Sequence, residues 1–456
     1  MKGRRGEREK GNRARAARGF ACLSARTASC FVLALAVLLP FSPSPLLPFS
    51  PSTSSAHEPL TTATRAGRLA VFDDVWTTVE ARYYDPTLHG VDWRAWGERL
   101  RSAAAAAQTQ DELYVVLRRL VAPLNDPHTR VFAPGEYADW QHPRYLSVGL
   151  SLRELAGALV VTRVEHDTAA ARGGVRAGDA LLSVDGEAVG VLRARQLAET
   201  ASDHATQAVR QQSLAHLFDG PTLAPVNAVF ADASGHTKTV ALRRTWQERA
   251  PAFDIERRGA YAVVHFNTFT PDIALAFLRA LRTTRRNARG LVIDLRDNGG
   301  GDAEAMTDIA SAFLPAGTSL GRFTDRNGAL VSTPQTRAAL LLAADEITRF
   351  RAPVILLTSA RTASAAEIFA AALRESARAQ VIGEQTCGCV LGIRRRHTLP
   401  DGGALDLSEL DYTTAAGRRL EGAGLTPDET ITPTRADLRA GRDPALARAF
   451  SILRAH

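Results

Sequence analysis

Cysteine is scarce in this chain of 456 residues, which contains only four. Cys22 and Cys30 fall in a basic and apolar beginning, so Cys387 and Cys389 alone belong to the folded part. Two cysteines at C-x-C spacing cannot by themselves hold a structural zinc ion, which takes four ligands. A disulfide between them would close a very small ring, and exposed free thiols are uncommon in an oxidising compartment. The pair therefore needs a local explanation.

Lysine and surplus charge are also missing from most of the chain. Lys238 is the only lysine after residue 10. The formal net charge is +8, but residues 1–26 carry nine Lys and Arg against two Glu, a net of +7, which leaves +1 for the rest. The basic isoelectric point thus describes the beginning of the chain, and it gives no argument for nucleic-acid binding by the folded part.

No apolar run is long enough to cross a membrane comfortably. Residues 30–41 (CFVLALAVLLPF) are apolar but fall short of the ~20 residues of a spanning helix. A basic segment followed by such a stretch is typical of a secretory signal, and residues 42–55 are Pro/Ser-rich like a flexible spacer. We expect residues 1–56 to be a leader and spacer, and the protein to be exported, periplasmic or otherwise extracytoplasmic. An uncleaved anchor is the alternative, and only then would the protein contact a membrane.

Three patterns follow along the chain. Residues 57–143 carry apolar residues at helical spacing. Residues 144–248 consist mainly of short β-rich runs, at 158–164, 180–184, 227–230 and 239–242, with Gly-rich turns. Residues 249–456 alternate apolar strands, at 261–266, 291–295 and 354–358, with helices. This alternation predicts an α/β fold with a mostly parallel sheet, in which the loops at the carboxyl ends of the strands carry the chemistry.

Two strings in the last segment indicate a site. In residues 291–302 (LVIDLRDNGGGD) a strand runs into Gly299, Gly300 and Gly301, whose backbone N–H groups can approach a substrate closely. Phosphate binding is the rival interpretation, but neither G-x-x-x-x-G-K-[ST] nor G-x-G-x-x-G occurs. In residues 356–370 (LLTSARTASAAEIFA) Ser364 stands at the start of a helix, where free N–H groups favour a developing oxyanion. Alone, such a serine would be an ordinary helix cap.

The β-rich segment contains a third string. Residues 148–152 (VGLSL) and 170–186 (AARGGVRAGDALLSVDG) resemble a PDZ domain of the bacterial, protease-associated kind. The backbone amides of the loop at Ser147, Val148, Gly149 and Leu150 would receive a peptide carboxylate, and the chain behind it would join the sheet edge. A small β-domain without a ligand is the alternative.

Together with the helical lead-in and the ending at residues 417–428 (GRRLEGAGLTPD), these strings closely resemble the C-terminal processing peptidases, also called tail-specific proteases, a serine peptidase family. The resemblance covers nearly the whole chain after the leader. It implies a mixed α/β protease core with ClpP/crotonase-like β-α units in residues 249–456, an N-terminal helical segment in 57–143 and an inserted PDZ domain in 144–248. It also implies protein or peptide substrates held by their C-terminal tails, no cofactor and no metal. Ser364 is then the nucleophile, and the oxyanion donors are the N–H of Ala365 and that of Gly299 or Gly300.

The chain departs from the family at one position. Many members use a Ser-Lys dyad with the lysine in a G-E-x-T-x-G-K string, which here is residues 383–389 (GEQTCGC). Cys389 occupies the lysine position, and Lys238 lies in a predicted PDZ strand, so we do not expect a Ser-Lys mechanism. We interpret Cys389 as a small packing residue. Pairing with Cys387 and a role as nucleophile are the alternatives.

Without lysine, histidine is the natural base for a serine hydroxyl. The tricorn-like branch of the family uses Ser-His-Glu, with its histidine before the PDZ domain and its glutamate near the C-terminus. His128 and Glu421 stand at similar places, which predicts His128 as base and Glu421 as the group that orients its ring. A local turn for His128 and a surface charge for Glu421 are the alternatives, and His265 and His397 are the reserve bases.

The sequence therefore predicts an exported serine endopeptidase that forms an acyl-enzyme on Ser364. One rival is a catalytically inactive PDZ-containing scaffold that binds peptides and lost catalysis together with the lysine. Another is a carrier of small ligands on the same fold, for which no specific feature is present. The retained serine, glycine string and His/Glu pair favour the enzyme.

Overall fold

The computed structural model describes residues 61–136, 144–198, 225–248, 252–338 and 349–456, with short pieces at 214, 216–218, 341–342 and 345–346. The predicted leader and spacer lie outside these residues. Among the described helices, none has the length and apolar character that spanning a bilayer would need.

Three helices begin the described chain: α1 (Arg65–Arg82), α2 (Trp93–Ala106) and α3 (Gln110–Val121). Each is started by a side chain that accepts a hydrogen bond from a backbone N–H of the first turn, as preferred at helix N-termini; these caps are Thr64, Asp92 and Thr109. The apolar residues at helical spacing lie inside, among them Val71, Val75 and Leu117. The prediction of a helical segment is confirmed.

The helices share one core with strands from the far end of the chain. Strand β1 (Arg130–Phe132) pairs antiparallel with a strand at Ala404–Thr413, and Leu405 and Leu407 of that strand pack in the same cluster as the helices. The helical segment is thus part of the protease body rather than a separate module.

An insertion with its own core follows. It begins and ends with a paired stem, β2 (Arg144–Ser147) and β9 (Thr245–Glu248). Between them the described residues form two helices, α4 (Ala169–Arg172) and α5 (Val189–Ala198), and six strands: β3 (Leu150–Leu155), β4 (Ala158–Val164), β5 (Ala180–Val184), β6 (Glu187–Ala188), β7 (Pro225–Ala231) and β8 (Thr237–Arg243). The main sheet has the order β3-β4-β5-β7-β8, so β3 is an edge strand among the strands that the structure describes. Two predicted strands, 158–164 and 180–184, match β4 and β5 to the residue.

The protease sheet joins six strands in the order β10 (Phe253–Arg258), β11 (Tyr261–Phe266), β12 (Gly290–Asp294), β17 (Val354–Thr358), β18 (Gln380–Gly383) and β21 (Glu429–Thr430). All neighbours are parallel except β10 and β11. One face packs on α6 (Pro271–Thr284), α7 (Ala303–Ser311) and α8 (Ala365–Glu375), and the other face packs on the last helix, α10 (Pro444–Ala455). The predicted α/β fold class is confirmed.

The remaining strands and a short helix frame this core. A second sheet contains β1, β13 (Arg322–Thr324), β14 (Leu330–Ser332), β19 (Gly392–Thr398) and β20 (Ala404–Thr413). Strands β15 (Leu341–Leu342) and β16 (Asp345–Glu346) form a short pair. Helix α9 (Arg435–Ala440) contacts the insertion, where Arg439 pairs with the buried Asp179. Because β12 and β17 are parallel neighbours, the loops after them meet at one sheet edge, and these loops carry the glycine string and Ser364.

Candidate active site

Ser364 lies between β17 and α8 in an unusual backbone conformation. Its φ of 56° and ψ of −125° are values that residues with a side chain seldom adopt, and holding them costs on the order of 1–3 kcal/mol. Two acceptors hold its N–H, the carbonyl of Cys389 at 2.8 Å and the carboxylate of Glu367 at 3.2 Å. Such strain persists only where the surroundings enforce it, and it concentrates at functional sites.

Gly300 brings the glycine string directly against Ser364. Its φ is +94°, and a Cβ built on it would lie 2.6 Å from the Cβ of Ser364 and 3.0 Å from the N of Ala365. No side chain fits there, and the left-handed backbone itself favours glycine. The two strings of the sequence therefore meet in one place.

The three predicted oxyanion donors differ in their hydrogen bonds. The N–H of Ala365 donates to no acceptor among the described residues. The N–H of Gly300 donates to Asn298 Oδ1 at 2.9 Å, and that of Gly299 donates to the carbonyl of Asn267 at 3.3 Å. In this conformation Ala365 alone of the three has a free donor, and a glycine N–H would have to leave its present acceptor to join it.

Glu367 organises the surroundings of Ser364, a role that sequence reasoning missed. It is fully buried, and its Oε1 accepts hydrogen bonds from Thr386 Oγ1 and the N–H of Gly388, while Oε2 accepts from the N–H groups of Cys389 and Ser364. Burial raises its pKa, which these hydrogen bonds oppose. The available signal was a glutamate three residues after a helix-capping serine, the pattern of a capping box.

Cys387 and Cys389 form a disulfide, so our interpretation of Cys389 as an unpaired packing residue is wrong. Their Cα atoms lie 5.3 Å apart, within the range that disulfides span. Gly388 between them has a φ of +72°, which turns the chain back on itself. Both cysteines are buried as expected, and the backbone at the family's lysine position contacts Ser364 through the Cys389 carbonyl.

Glu421 lies on the other side of the same loop. Its Oε2 accepts a hydrogen bond at 2.7 Å from the N–H of Val390, the residue after Cys389. Burial raises its pKa to about 8, and the negative charges of Asp126 and Glu367 act in the same direction. Glu421 is thus a partly buried carboxyl within electrostatic range of both the His128 turn and the Ser364 helix, and not a surface charge.

His128 lies in the turn before β1. Its backbone N–H donates to Asp126 Oδ1 at 2.9 Å, and its ring Nδ1 lies 3.7 Å from the same oxygen. The ring is 14% exposed, and Nδ1 is buried without a hydrogen-bond partner among the described residues. Burial, the largest single influence, would raise the pKa of Asp126, but the contacts with His128, Ser408 and Thr129 together outweigh it and the pKa is lowered. Asp126 is not among the predicted site residues, yet among the described residues it is the carboxylate nearest to the imidazole.

The reserve histidines have other surroundings. His265 lies on β11 in register with Asp254 and Asp294 of the neighbouring strands. His397 lies on β19, where its Nε2 is 3.6 Å from Glu409 and burial lowers its pKa. Among the described contacts, neither histidine hydrogen-bonds to the segments that surround Ser364.

The predicted peptide-binding loop is compact. Ser147, Val148 and Leu150 are buried, and Ser147 Oγ accepts from the N–H of Gly149 at 2.9 Å. Gly149 has a φ of +78°, and a Cβ there would lie 2.5 Å from the Thr168 side chain. Strand β3 behind the loop is joined to the protease core by an ion pair between Arg153 and Glu384, in the string that contains the two cysteines.

We expect Glu421→Gln to change how stability depends on pH. The folded protein keeps the Glu421 proton up to pH about 8, whereas the unfolded chain releases it near 4.5. Raising the pH through this window therefore lowers the free energy of unfolding of the natural protein. The side chain of the glutamine variant has no proton to lose there. The free energy of unfolding of the natural protein, minus that of the variant, should therefore fall as the pH rises from 5 to 8. Chemical denaturation at both pH values measures it, with exposed Glu80→Gln as control. Parallel curves for Glu421→Gln and the natural protein would contradict the burial described here.

Three family models match the chain in the order of its segments. The Tricorn protease C1 domain matches residues 65–122, the PDZ domain matches 160–204, and Peptidase family S41 matches 260–431. Carboxyl-terminal-processing peptidase 2, chloroplastic, of Arabidopsis thaliana is 26% identical over 383 residues, covering 79% of this chain and 68% of the relative. The carboxyl-terminal-processing protease of a Picosynechococcus species is 25% identical over 369 residues, covering 78% and 81%.

Solved structures share the fold. The photosystem II D1 C-terminal processing protease has a TM-score of 0.51 at 24% identity, covering 80% of this chain and 93% of that one. Mature CPAF complexed with lactacystin has a TM-score of 0.61 at 14% identity, covering 85% and 98%. At these identities the likeness concerns the fold alone.

A serine at a strained strand-to-helix turn, against a glycine string and beside buried carboxyls, defines a hydrolase of the serine type. The chain matches peptidase family S41 over residues 260–431, and along about four-fifths of its length it is similar to carboxyl-terminal-processing peptidases, which supports that family. It is therefore a serine-type protease with a PDZ domain, which implies protein or peptide substrates. The resemblance stated from the sequence is confirmed, and the scaffold and carrier alternatives have no support.

Proposed function

We propose that the protein cleaves protein chains near their C-termini through an acyl-enzyme on Ser364, with His128 as base and Glu421 as the carboxylate that acts on its ring. One observation carries the proposal: Ser364 stands in a strained conformation against Gly300, next to the free N–H of Ala365. A nucleophile and an unoccupied donor beside it are what acyl transfer needs.

In the first half of the reaction, Ser364 Oγ attacks the carbonyl carbon of the scissile peptide bond while His128 takes the hydroxyl proton. The N–H of Ala365, together with a glycine N–H released from its present acceptor, binds the oxyanion. His128 then returns the proton to the leaving amine, which departs with the C-terminal fragment. Water repeats the sequence on the ester and restores the hydroxyl.

Two carboxyl groups support the base differently. The imidazolium formed during attack lies 3.7 Å from the buried Asp126, whose lowered pKa keeps it ionised. Glu421, with a pKa of about 8, is protonated over much of the neutral range and gains its charge as the pH rises. We infer that the activity increases through this range, because a second negative charge then stabilises the imidazolium.

We propose that the PDZ domain holds the substrate tail. The proposal is supported by the edge position of β3, which leaves one side of the strand for an added peptide, and by the compact loop of Ser147, Val148, Gly149 and Leu150 before it. A tail held there would reach toward the protease core through the segment that Arg153 and Glu384 connect.

A peptide with a free C-terminal carboxylate should be cleaved with a kcat/KM roughly tenfold or more above that of its C-terminal amide. The loop loses a charge-assisted hydrogen bond when the carboxylate is masked, worth about 1.5–3 kcal/mol. Acetylation of the N-terminus of the same peptide is the control, since it changes charge at the end that the loop does not hold. Equal rates for acid and amide would overturn tail capture, and no hydrolysis of either peptide would count against the protease.

We also propose export, on the strength of the basic segment and apolar stretch before residue 42. Several relatives are chloroplastic proteins by name. Mass spectrometry of the protein from membrane and extracytoplasmic fractions would separate a removed signal from a retained anchor.

A further inference from the structure

The loop that carries the two cysteines, residues 386–390, is bonded to both sides of the proposed active site. Toward the nucleophile, the Cys389 carbonyl accepts the N–H of Ser364 at 2.8 Å, and the N–H of Cys387 donates to the carbonyl of Thr362 at 3.0 Å. The N–H groups of Gly388 and Cys389 donate to Glu367 at 2.8 and 2.9 Å. The backbone around the disulfide thus sets the position of Ser364.

The same loop positions the proposed acid partner of the base. The N–H of Val390 donates to Glu421 Oε2 at 2.7 Å, and the carbonyl of Gly388 accepts the N–H of Gly422 at 2.9 Å. A Cβ on Gly388 would lie 2.8 Å from the N of Gly424, so the two loops touch backbone to backbone. A shift of residues 386–390 therefore displaces Ser364 and Glu421 together.

Breaking the disulfide requires such a shift. Two thiols in contact need more room than two bonded sulfurs, and Cys387 and Cys389 are only 8% and 2% exposed, with Ala363 packed against them. Because protein interiors are closely packed, we expect the loop backbone to move when the two sulfurs separate. A displacement of about 1 Å at a reacting group lowers the rate by as much as roughly 10²-fold.

We propose that Cys387 and Cys389 form a reversible thiol–disulfide site that sets the activity of the peptidase, which is high with the disulfide closed and low with it reduced. The proposal rests on the function proposed above for Ser364 and Glu421. It also explains the position of the pair, since these are the only two cysteines after residue 30 and they bracket the contact point between the two catalytic loops.

The chemistry is a two-electron exchange with a low-molecular-weight disulfide. The Cys387 thiolate, on the more exposed of the two residues, attacks one sulfur of the reagent and releases one thiolate, leaving a mixed disulfide on Cys387. The Cys389 thiolate then attacks Cys387 Sγ and releases the second thiolate. The reagent gains two electrons, and the two protons that the cysteines lost end on the two released thiols. A dithiol or a phosphine drives the reverse reaction.

A cation on the reduced pair is the competing arrangement. Cys387 Sγ, Cys389 Sγ and a Glu367 oxygen lie within 4.8 Å of one another. However, the two Glu367 oxygens together accept four hydrogen bonds, so a metal would have to displace those that hold the loop. The thiol–disulfide exchange needs no such loss, and a chelator distinguishes the two.

The experiment uses the full chain with Cys22→Ser and Cys30→Ser, so that only the pair responds. The oxidised enzyme is assayed, reduced with a phosphine, assayed again and reoxidised with oxidised glutathione, and thiol alkylation with mass spectrometry counts the free cysteines at each stage. We expect kcat/KM to fall about tenfold or more on reduction and to recover on reoxidation. The double variant with Cys387→Ser and Cys389→Ser should have the kcat/KM of the reduced enzyme, and neither the phosphine nor oxidised glutathione should change it.

The other possible outcomes contradict either the redox site or the proposed function. An active oxidised enzyme whose rate survives complete reduction, or whose disulfide resists the phosphine in the folded state, overturns the redox site and leaves the peptidase intact. A reduced enzyme that recovers with chelator alone points to a bound cation and also overturns it. If neither form hydrolyses peptides and Ser364 reacts with no fluorophosphonate, the proposed function itself fails.

Discussion

Replacing Ser364 with alanine should lower kcat for peptide hydrolysis by roughly 10⁵-fold or more, which is the scale seen when a serine nucleophile is removed. The acyl-enzyme cannot form without the hydroxyl oxygen, and the residual rate comes from binding and the oxyanion donors alone. Alanine keeps the Cβ that packs on Gly300, so the fold should be retained. A fluorogenic peptide assay gives the rate, and a fluorophosphonate probe should label the natural protein but not the variant.

Ser376→Ala is the matched control, because Ser376 is exposed at the opposite end of the same helix. It should keep both the rate and the labelling. Labelling of the Ser364→Ala protein at another serine, together with undiminished hydrolysis, would show that the nucleophile lies elsewhere while the family assignment stands.

Replacing His128 with alanine should lower kcat/KM by roughly 10²–10⁴-fold, the usual contribution of a general base. Ser364 would then have to lose its proton to water. The turn should persist, because Asp126 bonds to the backbone N–H of residue 128 and to the hydroxyl of Thr129 rather than to the ring.

His397→Ala provides the comparison, since His397 is equally sheltered but lies beside Glu409 on β19. It should hydrolyse at close to the natural rate, with circular dichroism to verify that both variants are folded. The reverse result, a fully active His128→Ala variant and an inactive His397→Ala variant, would assign the base to the second sheet and contradict the proposed triad.

The elements of the protease sheet could be predicted from the sequence because their signals are local. Apolar runs bounded by turns define β11 and β17, whose observed limits equal the predicted 261–266 and 354–358. The adjacency of the glycine string and Ser364 also followed, since parallel neighbours place their carboxyl ends side by side.

The detailed surroundings of Ser364 could not be predicted, because they depend on contacts between distant segments. Nothing near Glu367 in the sequence indicates that it accepts bonds from residues 386–389, and nothing near Asp126 indicates that its charge acts on Glu421. The small ring argued against a disulfide between Cys387 and Cys389. The left-handed Gly388 nevertheless places their Cα atoms at a separation that a disulfide spans. The hydrogen bond from the Gly300 N–H to Asn298 Oδ1 joins residues two apart in the sequence. It forms only in a particular backbone conformation, and a run of glycines can adopt many.

The pairing of β1 with β20 has a consequence for the timing of activity. The proposed base precedes β1, whose neighbour Thr129 accepts a hydrogen bond from the N–H of Ser408, 279 residues further on. A nascent chain must therefore emerge almost completely before its imidazole is held in place, and contacts of such long range form late. We therefore expect peptidase activity to arise only after the segments that carry Ser364 and Ser408 have been made, so that an incomplete chain does not cleave other proteins during synthesis.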